Sequence, residues 1–313
     1  MAPASTKRGE IPFSHPTTST PLKTWYEIHG TLSTPSSPTH RALVVLHGGP
    51  GIPHDYLLPL VDLANTYPAP VIFYDQVGCG RSTHLPEKKN DKDFWTPELF
   101  LSELDNLLQH LGIQDGYDVL GQSWGGMLGA LHAIRQPPGL NRLIIANSPA
   151  DMGSWVAAAD RLRLGLPEDV QETLARCERE GKTETEEYEK AIMVYYERHL
   201  CRVKPLPVEL EASFAWLKQD DTVYLTMNGP SEFFVSGTLK TFDIRKDVHQ
   251  IKVPTLLING RYDEAQDEVV EPFFQEIEKV KWYRFAESSH TPQLEEREEF
   301  MKVVARFLGY ENR

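Results

Sequence analysis

Cysteine is scarce in this chain. Its 313 residues hold three, Cys79, Cys177 and Cys201. They are odd in number and far apart, which excludes a disulfide framework and leaves no metal-ligand spacing. Thiol usage of this kind fits a reducing compartment, and the cytoplasm is the expected location. Long apolar runs are missing too. None approaches the roughly 18–20 residues of a membrane-spanning helix, so no membrane association is expected. The stretch from Met1 to Glu10 carries two basic residues with no apolar segment behind them and does not read as a secretory signal. Basic charge is in deficit, with 32 Lys and Arg against 45 Asp and Glu and a formal net charge of −13. There is no basic stripe to neutralise phosphates, so nucleic acid is excluded as a partner. A nucleotide-binding fingerprint is also lacking. Gly78-Cys-Gly80 has neither the third glycine nor the acidic residue that would hold a ribose, and reads as a turn. No cofactor or metal is expected.

What is present is an alternation of strands and helices. Residues 42–46, 71–74, 117–120, 142–146, 254–259 and 281–286 are apolar runs of strand length. Helical segments lie between several of them. One starts at Thr96-Pro-Glu98, has a leucine stripe at positions 101, 104, 107, 108 and 111, and ends at Gly112. Another covers roughly 125–135, and the last runs from about 295 to 308 with Phe300, Val303, Val304 and Phe307 on one face. Continuous apolar strands alternating with helices predict a mostly parallel sheet covered on both faces, an α/β class. Residues 1–23 are rich in Pro, Ser and Thr and are expected to lie over the surface ahead of a first short strand at 24–28. Residues 33–40 read as a turn-rich connection. Between about 149 and 242 strand-like runs vanish and charged helical segments dominate. The expected organisation is a core at 1–148, a helical cap insertion at 149–242 and a return to the core at 243–313.

Three segments carry the chemistry. Gly121-Gln-Ser-Trp-Gly125 fits G-x-S-x-G between a strand and a helix, the context of a nucleophile elbow. The turn must be sharp enough to put Ser123 at its tip, and the flanking glycines admit the close approach of backbones. A serine hydroxyl needs a base, and the base needs an orienting carboxylate. In this fold the order is Ser, then Asp or Glu, then His. Asp263 follows the strand at 254–259 and His290 follows the strand at 281–286, and turns at the carboxyl ends of parallel strands share one edge of the sheet. Glu264 and Asp267 are rivals to Asp263 within the same loop. An oxyanion needs converging N–H donors. These are expected from the backbones of Trp124, after the nucleophile, and Gly49, in the loop His47-Gly-Gly-Pro-Gly51. His47 itself is read as a brace for that loop rather than a base. With His290 as the base, activity should fall as pH drops through the imidazole range near about 6.5. Trp155, Tyr195, Trp216 and Phe233 are candidates for lining a pocket, although aromatic residues in helical segments are more often core.

Taken with Tyr74-Asp-Gln76, Gly78-Cys-Gly-Arg-Ser82, Met227-Asn-Gly-Pro-Ser-Glu-Phe233 and Gly260-Arg-Tyr-Asp-Glu264, these motifs resemble the proline iminopeptidases and related prolyl and amino-acid amidases of the α/β-hydrolase superfamily. The resemblance runs from about residue 24 to 308. It implies an enzyme that removes an N-terminal residue, often proline, from short peptides or amides and holds the free amine with glutamates, here Glu232 and Glu264. A protonated amine buried near the nucleophile requires a carboxylate partner, which agrees with that role. Competing readings are an esterase or lactonase on the same fold, and a non-hydrolytic binder or cyclisation template.

Overall fold

The apolar runs assemble into one eight-stranded sheet in a computed structural model that describes residues 4–32 and 41–310. The strands are β1 (Thr6–Phe13), β2 (Leu22–His29), β3 (Ala42–Leu46), β4 (Val71–Asp75), β5 (Tyr117–Gln122), β6 (Leu140–Ala146), β7 (Thr255–Gly260) and β8 (Val280–Phe285). Their spatial order is β1-β2-β4-β3-β5-β6-β7-β8. β2 pairs antiparallel with both β1 and β4, and every later pairing is parallel. Every residue of β3, β4, β5 and β7 is buried, as strands covered on both faces require. β8 lies at the edge and carries Lys281 and Arg284 outward, charges that blunt an open edge.

The helices are α1 (Val61–Thr66), α2 (Pro97–Leu111), α3 (Trp124–Ile134), α4 (Met152–Arg163), α5 (Glu168–Glu180), α6 (Glu186–His199), α7 (Val208–Gln219), α8 (Thr222–Met227), α9 (Asp267–Glu276), α10 (Pro292–Glu295) and α11 (Arg297–Leu308). α2 shows how local chemistry sets the bounds. The Thr96 hydroxyl accepts from the N–H of Leu99 at its start, and Gly112 closes it at φ +66°. Two large apolar clusters lie on the two faces of the sheet, one containing Leu104, Leu128 and Val269, the other Leu60, Phe300 and Val304.

The amino-terminal segment departs from the sequence expectation. Residues 6–13 form strand β1 rather than a surface coil, with Ile11 and Phe13 buried. Only two apolar side chains point inward, and Pro12 sits between them. A proline is tolerated because β1 is an edge strand, but it hides the strand from a reading of the sequence. The connection expected at 33–40 lies outside the described residues.

Helices α4 to α8 stand between β6 and β7. α4, α5 and α6 share a small core of their own that includes Leu174, Cys177, Tyr188 and Phe233, whereas α7 and α8 pack into the two large clusters through Leu210, Tyr224 and Met227. The two ends of this excursion meet. Asp151 and Asp243 form an isolated antiparallel bridge, with Met152 N–H donating to the Phe242 carbonyl at 3.0 Å and Ile244 N–H to the Ala150 carbonyl at 3.0 Å. Among the described residues no helix is long and apolar enough to cross a membrane.

Candidate active site

The turns that follow β3, β4, β5, β7 and β8 all leave the carboxyl edge of the sheet. The sharpest is at Ser123, which has φ +56° and ψ −124°, a strained conformation for a residue with a side chain. It is over-determined by its surroundings. A Cβ at Gly121 would lie 2.0 Å from the Gly125 carbonyl oxygen, and one at Gly125 would lie 2.0 Å from that of Leu46. The Ser123 N–H is tied to the Ala146 carbonyl at 2.9 Å. α3 begins at Trp124, so the Trp124 N–H is one of the helix-end donors that no carbonyl of the same helix can reach.

Asp263 lies against His290, with its Oδ1 2.7 Å from the imidazole Nδ1. Three further N–H groups hold the carboxylate. Asn147 Nδ2 donates to Oδ2 at 2.6 Å, Gly260 N–H to Oδ2 at 3.3 Å and Ala265 N–H to Oδ1 at 2.8 Å. The rivals sit elsewhere. Asp267 accepts from Asn259 Nδ2 and pairs with Arg284. Glu264 approaches the other imidazole nitrogen, with Oε1 3.8 Å from Nε2.

Two cavities meet at Gly49, Ser123 and Glu232. The first is lined further by Ile52, Tyr56, Leu200, Leu210, Phe214 and His290, the second by Trp124, Met127, Met152, Trp155 and Leu239. Neither lining contains a lysine or an arginine. Glu232 is 6 % exposed and accepts from the Tyr224 hydroxyl at 2.7 Å. Glu264 is fully buried and lines neither cavity. Burial raises the pKa of both carboxyls, that of Glu264 well above the usual range. Burial pushes the His290 imidazole down, but Asp263, Glu264 and Glu232 together outweigh it and carry it up to about 9. The unperturbed titration range expected from the sequence is therefore displaced upward in the ligand-free site. Of the four aromatic candidates, Trp155 lines the second cavity, while Trp216 stands apart beside Arg81 and His84. Tyr195 and Phe233 are buried and pack against each other at 4.7 Å.

The glycine-rich loop after β3 is fixed from below. His47 Nε2 accepts from the Gln76 N–H at 2.9 Å, so its proton is on Nδ1, which faces the Gly48 carbonyl at 3.0 Å. Burial lowers its pKa to about 4, and the ring stays neutral as a brace. Gln76 in turn accepts from the Trp124 indole at 2.8 Å and donates to the His47 carbonyl at 3.2 Å. Gly49 has φ +106°, a backbone that only glycine adopts without strain. Beneath the loop, Asp75 holds His54 at 2.6 Å, and Arg81 clamps Asp55 at 2.7 and 3.0 Å.

Sequence reasoning passed over Tyr56, Gln122 and Asn147. The Tyr56 hydroxyl accepts from the Gly48 N–H at 2.8 Å and donates to Gln122 Oε1 at 2.5 Å. Gln122 lies inside G-x-S-x-G at a position the pattern leaves open, and Tyr56 follows the glycine-rich loop by five residues. Asn147 directly follows the strand predicted at 142–146, at φ +54°, and nothing in its neighbours signals a contact 116 residues away. Among the described residues no group of three or more His, Cys, Asp or Glu could hold a metal ion.

This fold and this edge define a class, and residues 41–297 match the model of the α/β hydrolase fold. Similarity extends further at the level of sequence. The chain is 38 % identical to a proline iminopeptidase of Heyndrickxia coagulans over 85 % of its own length and 90 % of the relative's. A crystal structure of proline iminopeptidase from Mycobacterium smegmatis superposes with TM-score 0.86 at 42 % identity, covering 96 % of this chain and 98 % of that one. The crystal structure of VinJ superposes with TM-score 0.92 at 46 % identity, covering 98 % and 99 %. The chain belongs to the proline iminopeptidase family of α/β hydrolases and is a hydrolytic enzyme.

Proposed function

We propose that the chain releases the N-terminal residue, proline in preference, from short peptides or amino-acid amides through an acyl-enzyme. Ser123 attacks the carbonyl carbon while His290 Nε2 takes its proton. Asp263 holds Nδ1–H and stabilises the imidazolium. The N–H groups of Trp124 and Gly49 receive the oxyanion. His290 then protonates the departing amine, and water repeats the attack on the ester. Glu232 receives the substrate ammonium, and Glu264 behind His290 adds a second negative charge. Residues 149–242 act as the cap that closes over the substrate, and the cytoplasm is the proposed site of action. No cofactor enters any step.

One observation carries the amine-anchored reading. A buried carboxylate, Glu232, lines both cavities at Ser123, and neither lining holds a lysine or an arginine to pair with it. A buried charge of this kind needs a cation, and an N-terminal ammonium supplies one. Initial rates on proline, alanine and leucine naphthylamides, proline amide, an N-acetylated proline analogue and a short-chain nitrophenyl ester test it, with Ser123→Ala as blank. Cleavage of the free amines with rejection of the acetylated compound is expected. Ester cleavage alone, indifferent to a free amine, would overturn the assignment of Glu232 and Glu264.

A further inference from the structure

We infer that the substrate's own ammonium group switches His290 on as a base: the ligand-free site keeps one extra proton on the cluster of His290, Glu264 and Glu232, and entry of a protonated amine expels that proton to solvent. The inference rests on the amine-anchored reading above and adds to it a reason for selectivity beyond binding.

The geometry is unusual in its charge balance. Asp263 and Glu264 stand 2.7 and 3.8 Å from the two nitrogens of one imidazole, Glu232 acts on the same ring, and all four groups are buried. Asp263 has its hydrogen bonds from Asn147, Gly260 and Ala265. Glu232 has one, from Tyr224. Glu264 faces the neutral Tyr195 hydroxyl, and neither of its oxygens makes a well-formed hydrogen bond to any partner among the described residues. The titratable groups that face the cluster do not compensate it. Tyr195 and Tyr196 of α6, Tyr224 of α8 and Tyr56 are all held neutral by burial. His199, at the end of α6, is pushed down by burial as well. His290 is thus the only group of the cluster able to carry positive charge.

Catalysis needs Nε2 of His290 free of its proton, and Glu264 stands 3.8 Å from that atom. With Asp263 ionised, a neutral His290 beside two ionised glutamates would leave three buried negative charges and no positive one, an arrangement burial penalises heavily. The ligand-free site avoids it by retaining protons. An incoming ammonium adds one positive charge, and one departing proton restores the balance. An N-acylated substrate brings no charge and leaves His290 protonated. Such a substrate is therefore handicapped twice, in affinity and in the chemical step.

Titration calorimetry of Ser123→Ala with proline amide tests this, in buffers of different ionisation enthalpy at about pH 6.5, below the α-amino range of about 7.7–8.0. Release of close to ~1 proton per ligand bound is expected, falling by more than half in the Ser123→Ala, Glu264→Gln double variant. Binding without proton release would overturn the inference and leave the amine anchor standing. Failure of proline amide to bind would overturn both. In the active enzyme the acid limb of kcat/KM, which reports the free site, should lie above that of kcat by about one pH unit or more. Coincident limbs would contradict the inference independently of how the glutamine variant folds.

Discussion

Gln122 donates through Nε2 to the backbone carbonyl of His290 at 2.9 Å, so the residue before the proposed nucleophile holds the loop that carries the proposed base. Its other end accepts from the Tyr56 hydroxyl at 2.5 Å, and that hydroxyl holds the Gly48 N–H. One amide side chain therefore joins the elbow, the base loop and the glycine-rich loop. Gln122→Ala frees two of the three to drift. Small misplacements at a reacting centre cost on the order of 10–100-fold in rate. The expected loss is of that size in kcat, with a smaller change in KM, read by steady-state kinetics beside a thermal midpoint that shifts little.

Asn147 is the equivalent support for Asp263, the proposed orienting carboxylate. Its Nδ2 donates to Asp263 Oδ2 at 2.6 Å. A hydrogen bond to a charged group contributes about 1.5–3 kcal/mol, so Asn147→Gly should lower kcat/KM by roughly 10- to 150-fold if that support is felt in the transition state. Glycine is the informative replacement because Asn147 has φ +54°, which glycine adopts without strain. Asn147→Asp should be worse, since it sets a second carboxylate against the first. An unchanged kcat/KM in Asn147→Gly would remove Asn147 from the machinery.

The parts of this molecule that the sequence shows plainly are those where local chemistry decides. β3 is expected at 42–46 and observed there because five apolar residues run without interruption between a basic residue and a glycine-rich turn. α2 is bounded by its own cap residues. Ser123, Asp263 and His290 stand out because parallel topology sends the turns after β5, β7 and β8 to one edge, and the 2.7 Å contact selects Asp263 from its two neighbours. What stays hidden depends on contacts distant in sequence. The pairing of Gln122 with His290 spans 168 residues and that of Asn147 with Asp263 spans 116. β1 is hidden for a different reason. Its two inward side chains flank a proline, and its partner strand supplies the order. Glu264 shows the same limit in the site itself. Its place in a motif was legible, but its position behind His290 rather than on a cavity wall comes from the packing of α6 against the loop.

The elbow glycines give a prediction about stability. A Cβ at Gly125 would meet the backbone carbonyl of Leu46 at 2.0 Å. That carbonyl belongs to the fully buried strand β3 and cannot swing aside as a side chain would. Gly125→Ala should therefore cost at least the upper end of the roughly 1–3 kcal/mol typical of overpacking, seen as a lower thermal midpoint or loss of soluble protein. Gly116→Ala is the control. Nothing lies within 4 Å of a Cβ there, and the change should stay within about ±0.5 kcal/mol.

The pair of His54 and Asp75 ties stability to pH. Burial pushes the His54 imidazole down, but Asp75 at 2.6 Å and Glu27 at 3.6 Å carry it up to about 9. The folded chain therefore holds this proton more tightly than the unfolded chain, whose imidazole titrates near 6.5. The contribution is fully present below about pH 6.5 and is lost as pH rises through about 9. Asp75 behaves in the opposite sense. Burial raises its pKa, yet His54 pulls it down to about 2 from an ordinary 3.8. Its share is present above 3.8 and lost as pH falls through 2. Both contributions coexist between about pH 4 and 6.5. Removing one partner of a buried pair costs about 3–5 kcal/mol, and because the Arg81 N–H still reaches Asp75 at 2.9 Å, His54→Gln should fall near the lower end. Thermal midpoints of the two proteins measured from pH 5 to 9.5 should differ most near the acid end and converge as pH passes about 9. A gap that stays constant across that range would mean that His54 stabilises the loop by packing on Trp25, with ring centroids 5.1 Å apart, and not by its charge.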